Sequence, residues 1–480
     1  MNILLLNPPG KMMYTRDYFC SKVSKAGYIE QPIDLIILSG IILSGGHKIE
    51  VVDAMMENLD FNETRRKIGF LDIHIIIFLA GSVSSKDDLF FMEMVKEKQK
   101  SLILIGVGDI FLKKDIFLKN DWIDAALLDF TNKDILKYIE GNYSNLKNIS
   151  YRKGGKVFIA QRERDYQEFE IPLPRQELFL DKRYTFPFVK NLPFATVLTD
   201  YGCPYKCLFC LYPSLNFKLR NLDNVFIELR YIYSLGVKEL FIKDQCFGVN
   251  RVRTIKLCEE MCKIGNFSWT CFLRTDIVDL ELLTKMKEAG CHTIIFGVES
   301  ANEEILMRYK PGITRQNIEK AFSLCRSLGI STVGIFILGF PEENKKSCLE
   351  TIDFSLRLKC DYASYNLFVP KIETVTRKYL VANNLLDENR DENFDQSGIA
   401  FTWYTNVLCE KKFPDIRRLA LVKFYIRPFY VAKRLFNISS ITQLRMLVKS
   451  AFFIFKDLIG KCVLKDRDIA EYAKESIKYE

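Results

Sequence analysis

The sequence predicts an α/β protein: a doubly wound parallel sheet at the N-terminus, a partial β/α barrel after it, and a helical C-terminal region. Three observations carry this. Short apolar runs alternate with helical stretches twice over, a charged and proline-bearing stretch separates the two series, and the surplus of basic residues is gathered at the C-terminal end. With 480 residues, 48% hydrophobic and 27% charged, the chain can bury several substantial cores and is not of disordered composition.

The elements follow in order. "NILLL" (2–6) is an apolar run stopped by Asn7-Pro8-Pro9-Gly10, a strand meeting a turn. "PIDLIILSGIILSGG" (32–46) reads as a helix ended by Gly45-Gly46. "HKIEVVDA" (47–54), "IHIIIFLA" (73–80), "SLILIGVG" (101–108) and "DAALLD" (124–129) read as further strands, the second of them buried on both faces. These make a first unit over 1–145. Residues 146–190, with Pro172 and Pro174, read as a connector holding a hairpin. A second series begins at "FATVLT" (194–199) and runs through "VKELFIKD" (237–244), "FSWTCFLR" (267–274), "HTIIFGVES" (292–300), "STVGIFILGF" (331–340) and "YASYNLFVP" (362–370). Six strands in β/α order over 191–404 imply a barrel whose chemistry belongs at the strand C-termini. Residues 405–480 read as helical, rich in aromatics and bases.

Several function classes are excluded early. No apolar run reaches the roughly 18 residues of a spanning helix. "MNILLLNPPG" has neither a basic region nor a small-residue cleavage site, so a secretory leader is not expected and the cytoplasm is the expected compartment. The 14 cysteines are mostly scattered, as reduced thiols are. Only His47, His74 and His292 exist, too few for a His-rich zinc site. Residues 411–480 carry 16 Lys and Arg against 7 Asp and Glu, which accounts for the whole +9 of the chain.

The informative stretch is "TDYGCPYKCLFCLYP" (199–213), with Cys203, Cys207 and Cys210 spaced C-x3-C-x2-C on the loop after the first barrel strand. Structural zinc takes four ligands, and the next cysteine is Cys246. Three thiolates on a 4Fe–4S cluster leave one iron open to a small molecule. Buried thiols in a turn, or zinc, are the rival readings. Cys258 and Cys262, four apart on a helical stretch, read as packing residues.

"CPYKCLFC" resembles the signature of the radical S-adenosylmethionine (SAM) superfamily, with Phe209 in its aromatic position. The resemblance implies a 4Fe–4S cluster on Cys203, Cys207 and Cys210. Its open iron chelates SAM, and one electron, from a donor such as ferredoxin or flavodoxin, cleaves SAM to a 5′-deoxyadenosyl radical. It also implies SAM contacts at later strand ends. Lys243, Asp244 and Gln245 close the second strand and Arg274 the third; Glu299 and Ser300 follow the fourth. In "IFILGFPEE", Ile337, Gly339, Pro341 and Glu343 keep the spacing of the adenine-binding motif, while Ile335 replaces its first glycine.

The N-terminal layout resembles the Rossmann-type, cobalamin (B12)-binding domains found in one class of this superfamily. The matching stretches are "LLLNPP", "GGHKIEVVDA" and "WIDAALLDF". Candidate corrin contacts are Pro8, Pro9, Gly81, Ser82, Ser84, Ser85, Gly106 and Gly108. The chain departs from that pattern at "GVGD" and "DFTN". Asp72 and His74 stand in the order of an Asp-x-His cobalt-ligand motif, but Ile77 replaces its glycine, and His74 is expected to be a core or edge residue of the strand rather than a ligand.

The resemblance implies a cobalamin-dependent methyltransferase acting on an unactivated carbon or phosphorus of a lipid-like or secondary-metabolite substrate. A radical rearrangement or cyclisation is its nearest rival. RNA methylthiolation is not expected, since only Cys20 precedes the barrel. A reading of another class is an iron–sulfur redox sensor with a basic tail, which would not cleave SAM. Tyr365, Asn366 and Phe368 are candidate substrate contacts at the mouth. The tail, "RRLALVKFYIRPFYVAKRLF" onward (417–460), reads as a cap on the barrel, as a membrane-surface helix on the inner face of the membrane, or, least, as a nucleic-acid binder.

Overall fold

The computed structural model describes residues 1–16, 18, 21–161, 168–387, 394–398, 416–436, 438 and 441–459; Cys20 and residues 405–415 lie outside them. Two sheets organise the chain. The first contains β1 (Asn2–Asn7), β2 (Lys48–Asp53), β3 (Ile75–Leu79), β4 (Ile103–Val107), β5 (Ala125–Leu127), β6 (Ile149–Lys153) and β7 (Lys156–Phe158). Its spatial order is β2-β1-β3-β4-β5-β6-β7. The first five strands are parallel, with Leu5 opposite both Val51 and Ile77. Alternate residues serve two cores. Ile3, Leu5, Ile75 and Ile77 face the helix Ile33–Ser44, and Leu4, Leu6, Ile76 and Phe78 face the helix Ser85–Lys98. That is why β1 and β3 read as unbroken apolar runs. The hairpin expected within 146–190 is β6–β7, and it extends this sheet antiparallel from β5.

His74 lies outside β3. It is exposed at the strand's N-terminal end, where its Nδ1 accepts the Asn2 N–H at 3.2 Å. This is the end of the sheet opposite the loops that follow β1, β3 and β4. Cys258 is buried as expected, but Cys262, one turn on, is exposed, because that face of the helix Arg251–Ile264 is turned to solvent.

The second sheet is all parallel, in the order β8 (Phe194–Val197), β9 (Glu239–Ile242), β10 (Ser268–Leu273), β11 (Cys291–Glu299), β12 (Ser331–Leu338), β13 (Tyr362–Leu367). Leu240, Ile242, Ile294, Phe296 and Phe336 pack under the outer helices. Phe241, Ile295 and Val333 point inward, and Tyr28, Phe186 and Met446 cover them.

Residues 22–31 therefore strap the first unit to the barrel. Gln31 donates to the carbonyls of Phe179 and Phe194 at 2.7 and 2.8 Å. Lys25 Nζ donates to the Tyr365 carbonyl and to Asn366 Oδ1, both at 2.6 Å. Glu30 pairs with Lys22 at 3.1 Å and also with Lys243. Burial pushes the Glu30 carboxyl up, but the two ammonium groups together hold it well below the usual carboxylate range.

The C-terminal region is helical where described: Ile416–Tyr425, Pro428–Phe436 and Ile441–Ile459. Tyr425 and Tyr430 donate to the carbonyls of Ala363 and Asp361 at 2.8 and 2.9 Å, docking the first two helices beside β13. No helix among the described residues is long and apolar enough to cross a membrane.

Candidate functional site

The thiol loop starts from a turn that only glycine suits. Gly202 has φ +79°, and a Cβ there would stand 2.1 Å from the Asn216 carbonyl oxygen. Beyond it the backbone is pinned on both sides. Leu208 N–H donates to the Tyr309 carbonyl at 3.0 Å, and the N–H and hydroxyl of Thr376 donate to the Leu208 carbonyl at 3.1 and 2.9 Å. Cys203, Cys207 and Cys210 are thus half-buried on a fixed loop at the C-terminal end of the barrel. Burial raises all three thiols, Cys203 to about 12, so metal binding must displace protons from them. Among the described residues no three Cys, His, Asp or Glu side chains converge tightly enough to hold a single ion. Tetrahedral zinc demands such convergence. A cluster does not, because each thiolate takes a different iron. The donor set fits a three-thiolate cluster.

Cations flank the loop. Arg274 Nη1 lies 3.7 Å from Cys207 Sγ. Its guanidinium is gripped by Asp276 at 2.9 and 2.8 Å and stacks on Tyr205 with 3.7 Å to the ring centroid. Lys310, at the end of the helix Glu303–Tyr309, donates to the Gly297 carbonyl at 2.6 Å and to Glu299 Oε1 at 2.8 Å. Glu299 sits at φ +65°, where β11 slips register against β12. A non-glycine residue held there at a strand end marks a position the surroundings over-determine. Cys246, buried beside Cys203 and Arg274, is a further thiol in this environment. Lys310, Asp276 and the closeness of Cys246 carried no sequence signal, since each meets the loop only through the fold.

The other sequence-derived residues divide. Phe209 is half-buried in an apolar wall with Ile337, Tyr309, Phe340 and Phe368; its ring centroid is 5.9 Å from that of Phe340. Asp244 is fully buried and committed. It accepts the N–H groups of Thr199 and Asp200 at 2.6 and 3.1 Å and the Thr199 hydroxyl, tying the end of β9 to the end of β8. Burial raises both Asp244 and Asp200, and repulsion between the two carboxyls raises Asp200 further. Gln245 donates to the Lys243 carbonyl at 3.1 Å. Tyr365 is inside the core, 2.5 Å from the Ser355 hydroxyl, so of the three mouth candidates Asn366, held by Lys25, and Phe368 are the ones placed there.

Ser300 is buried in a network with Glu343, 3.3 Å away. Glu343 also accepts the N–H groups of Gly339 and Phe340 at 2.8 and 3.1 Å, closing the turn after β12. Burial raises the Glu343 carboxyl to about 7. Such a group keeps a proton in the folded chain that the unfolded chain has already released, so stability falls as pH rises from about 4.5 to about 7 and levels off above. Glu343→Gln is expected to flatten that part of the profile by about 3 kcal/mol. Denaturant unfolding at about pH 5 and about pH 8 reads the difference directly; equal slopes for both proteins would refute it.

In the first unit, Pro8 and Pro9 follow β1, and Gly81, Ser82, Ser84 and Ser85 follow β3, forming a low rim over adjacent strand ends. A flat macrocycle laid over strand termini fits such a rim. The rim is braced from below. Arg16 donates to Asp88 at 2.9 and 2.6 Å, to Asn7 at 3.1 Å and to the Pro9 carbonyl at 3.1 Å, while Asp88 accepts Gly81 N–H at 3.0 Å and the Ser84 hydroxyl at 2.6 Å. Ser82 donates twice to Asp109, at 2.7 Å each. Gly106 and Gly108 serve the fold itself. The space beside Gly106 is filled by the Phe111 ring, and a Cβ on Gly108 would stand 2.1 Å from the Ala80 carbonyl oxygen.

The model of the radical SAM superfamily matches residues 197–355, from the end of β8 to the helix after β12. The chain carries a radical SAM domain. Over 461 residues it is 27% identical to an uncharacterised methyltransferase of Pyrococcus horikoshii, covering 91% of this chain and 95% of that one. Its fold, sheet then partial barrel then helices, is shared with the radical SAM methyltransferase TsrM from Kitasatospora setae, solved with cobalamin and a [4Fe–4S] cluster. There the TM-score is 0.70 at 14% identity, over 94% of this chain and 99% of that one. It is shared also with the cobalamin-dependent radical SAM enzyme OxsB, with TM-score 0.64, 15% identity, and coverage of 95% and 72%. This radical SAM protein is an enzyme of α/β architecture, and its thiol loop lies where the superfamily model begins.

Proposed function

We propose that this radical SAM enzyme is a cobalamin-dependent methyltransferase that alkylates an unactivated carbon or phosphorus of a lipid-like or secondary-metabolite substrate. The observation that carries the reading is the meeting of three thiols with Arg274 and the Lys310–Glu299 pair at the barrel mouth. The likeness to a methyltransferase relative, to a methyltransferase fold solved with cobalamin and to a cobalamin-dependent enzyme fold supports the choice of reaction.

Cys203, Cys207 and Cys210 would hold the cluster, and Pro8, Pro9, Gly81, Ser82, Ser84 and Ser85 would underlie the corrin. When bound, cluster, SAM and cobalamin supply reductive cleavage and a methyl carrier, with the electron coming from a donor such as ferredoxin or flavodoxin. The chain's own part is placement. Arg274 offers a fixed cation to a carboxylate, held in aim by Asp276. Glu299 offers a carboxylate to an ammonium or ribose hydroxyl. The wall of Ile337, Phe340 and Phe209 offers a dry face to a purine. Asp244 and Ser300 act behind these, fixing the strand ends.

The test is anaerobic reconstitution with iron and sulfide, followed by dithionite and SAM. The expected result is consumption of SAM to 5′-deoxyadenosine or to S-adenosylhomocysteine, with about one corrin retained per chain when hydroxocobalamin is added. A loaded cluster that leaves SAM intact would make the protein a sensor. Cleavage without any corrin retention would move the reaction to a rearrangement or cyclisation.

A further inference from the structure

The helix Ile441–Ile459 is amphipathic, yet one apolar stripe of it faces away from the protein. Its inner side is accounted for. Met446 is buried, Ser450 bonds Tyr28, Lys449 lies over the Tyr28 ring at 5.5 Å, and Phe453 fills the space beside Gly27. The outer side repeats every three or four residues as Ile441, Leu444, Val448, Phe452 and Phe455, each between 43% and 72% exposed, with Arg445 beside them. The preceding helix adds Leu435 and Phe436, the latter 87% exposed. Five large apolar side chains on one outward stripe exceed the scattered exposure normal for a soluble surface.

Charge decides what the stripe fits. Residues 416–459 contain nine Lys and Arg and one Asp; Lys423 pairs with Asp353 and Lys433 and Arg434 with Asp361, which leaves a smaller positive surplus on these helices. A second copy of the chain would bring two such surpluses face to face, which is repulsive. Residues 460–480 are a poor cover, since ten of those 21 residues are charged. An anionic lipid surface satisfies both features at once: it takes the apolar stripe into the headgroup–acyl boundary and draws the exposed Arg445 beside it to its phosphates. The helix would lie on such a surface, because no helix among the described residues is long and apolar enough to span it. We infer that Ile441–Ile459, with the end of Pro428–Phe436, is a membrane-docking face selective for anionic phospholipid. This stands on the tail alone and does not depend on the cluster or on methyl transfer.

The experiment is flotation of the full-length chain with vesicles of phosphatidylcholine alone, and of phosphatidylcholine carrying about one third phosphatidylglycerol. Partitioning is expected to be at least about tenfold stronger to the anionic vesicles and to fall with added salt. Phe452→Ser/Phe455→Ser is expected to weaken it by at least about tenfold. Both side chains face solvent, so the variant should keep its unfolding transition, and that measurement serves as the folding control. Absence of binding, equal binding to both vesicle types, or binding unchanged in the double variant would overturn the proposal. So would a dimer of the chain that the double variant dissolves, since the stripe would then be an interface between copies.

Discussion

Alanine at Cys203, Cys207 or Cys210, one at a time, is expected to take the reconstituted chain from about four irons to a substoichiometric remnant and to reduce SAM turnover to background. The same substitution at Cys258 or Cys262 should change neither, because those thiols lie on an outer helix. Cys246 is the informative control. It is buried next to Cys203, close enough for that thiol to oppose its ionisation. If the cluster has one iron without a protein ligand, Cys246→Ser retains full iron and turnover. Loss of iron in Cys246→Ser would mean that a fourth thiolate closes the cluster, and no site would remain for SAM. Iron and sulfide content, read together with the visible absorbance of each variant, separates these cases.

The second large effect concerns stability of the first unit. Arg16 and Asp88 form an ion pair whose side chains are 1% and 0% exposed, and the pair holds Asn7, Pro9, Gly81 and Ser84 in one network. Asp88→Ala strands the guanidinium without its partner and frees Gly81 N–H and the Ser84 hydroxyl from their acceptor. The expected cost is about 3–5 kcal/mol, read as a shift of the denaturant midpoint. Arg16→Met/Asp88→Leu removes both charges and should recover a large part of that loss, because no unpaired charge is left behind. Additive losses in the double variant would contradict this account. The rim after β3 should loosen in Asp88→Ala, so corrin retention should weaken alongside stability.

What was legible in the sequence was what is local. The β/α alternation could be read because each strand's burial is written into its own residues, as in Ile75–Leu79, buried throughout. The thiol loop could be read because its three cysteines lie within eight residues. Side-chain commitments were not legible. Asp244 stands at a strand end, where cofactor groups belong, yet it is spent on Thr199 from the neighbouring strand. Gly106 suggests room for a ligand, but Phe111, five residues on, takes the space. Lys310 became part of the site only because a helix delivers it to Glu299, and Lys25 reaches Asn366 across 341 positions of sequence. The outward apolar stripe of the last helix could be seen as amphipathic but not as outward, since its orientation is set by Tyr28 and Gly27 at the other end of the chain.

Electron paramagnetic resonance of the reduced, reconstituted chain with and without SAM tests the account most directly. Cys203, Cys207 and Cys210 would hold the cluster and would leave one iron to bind SAM, so the spectrum of the wild-type cluster should change its g-values when SAM is added. A cluster spectrum identical in the presence and absence of saturating SAM would contradict the account at its root.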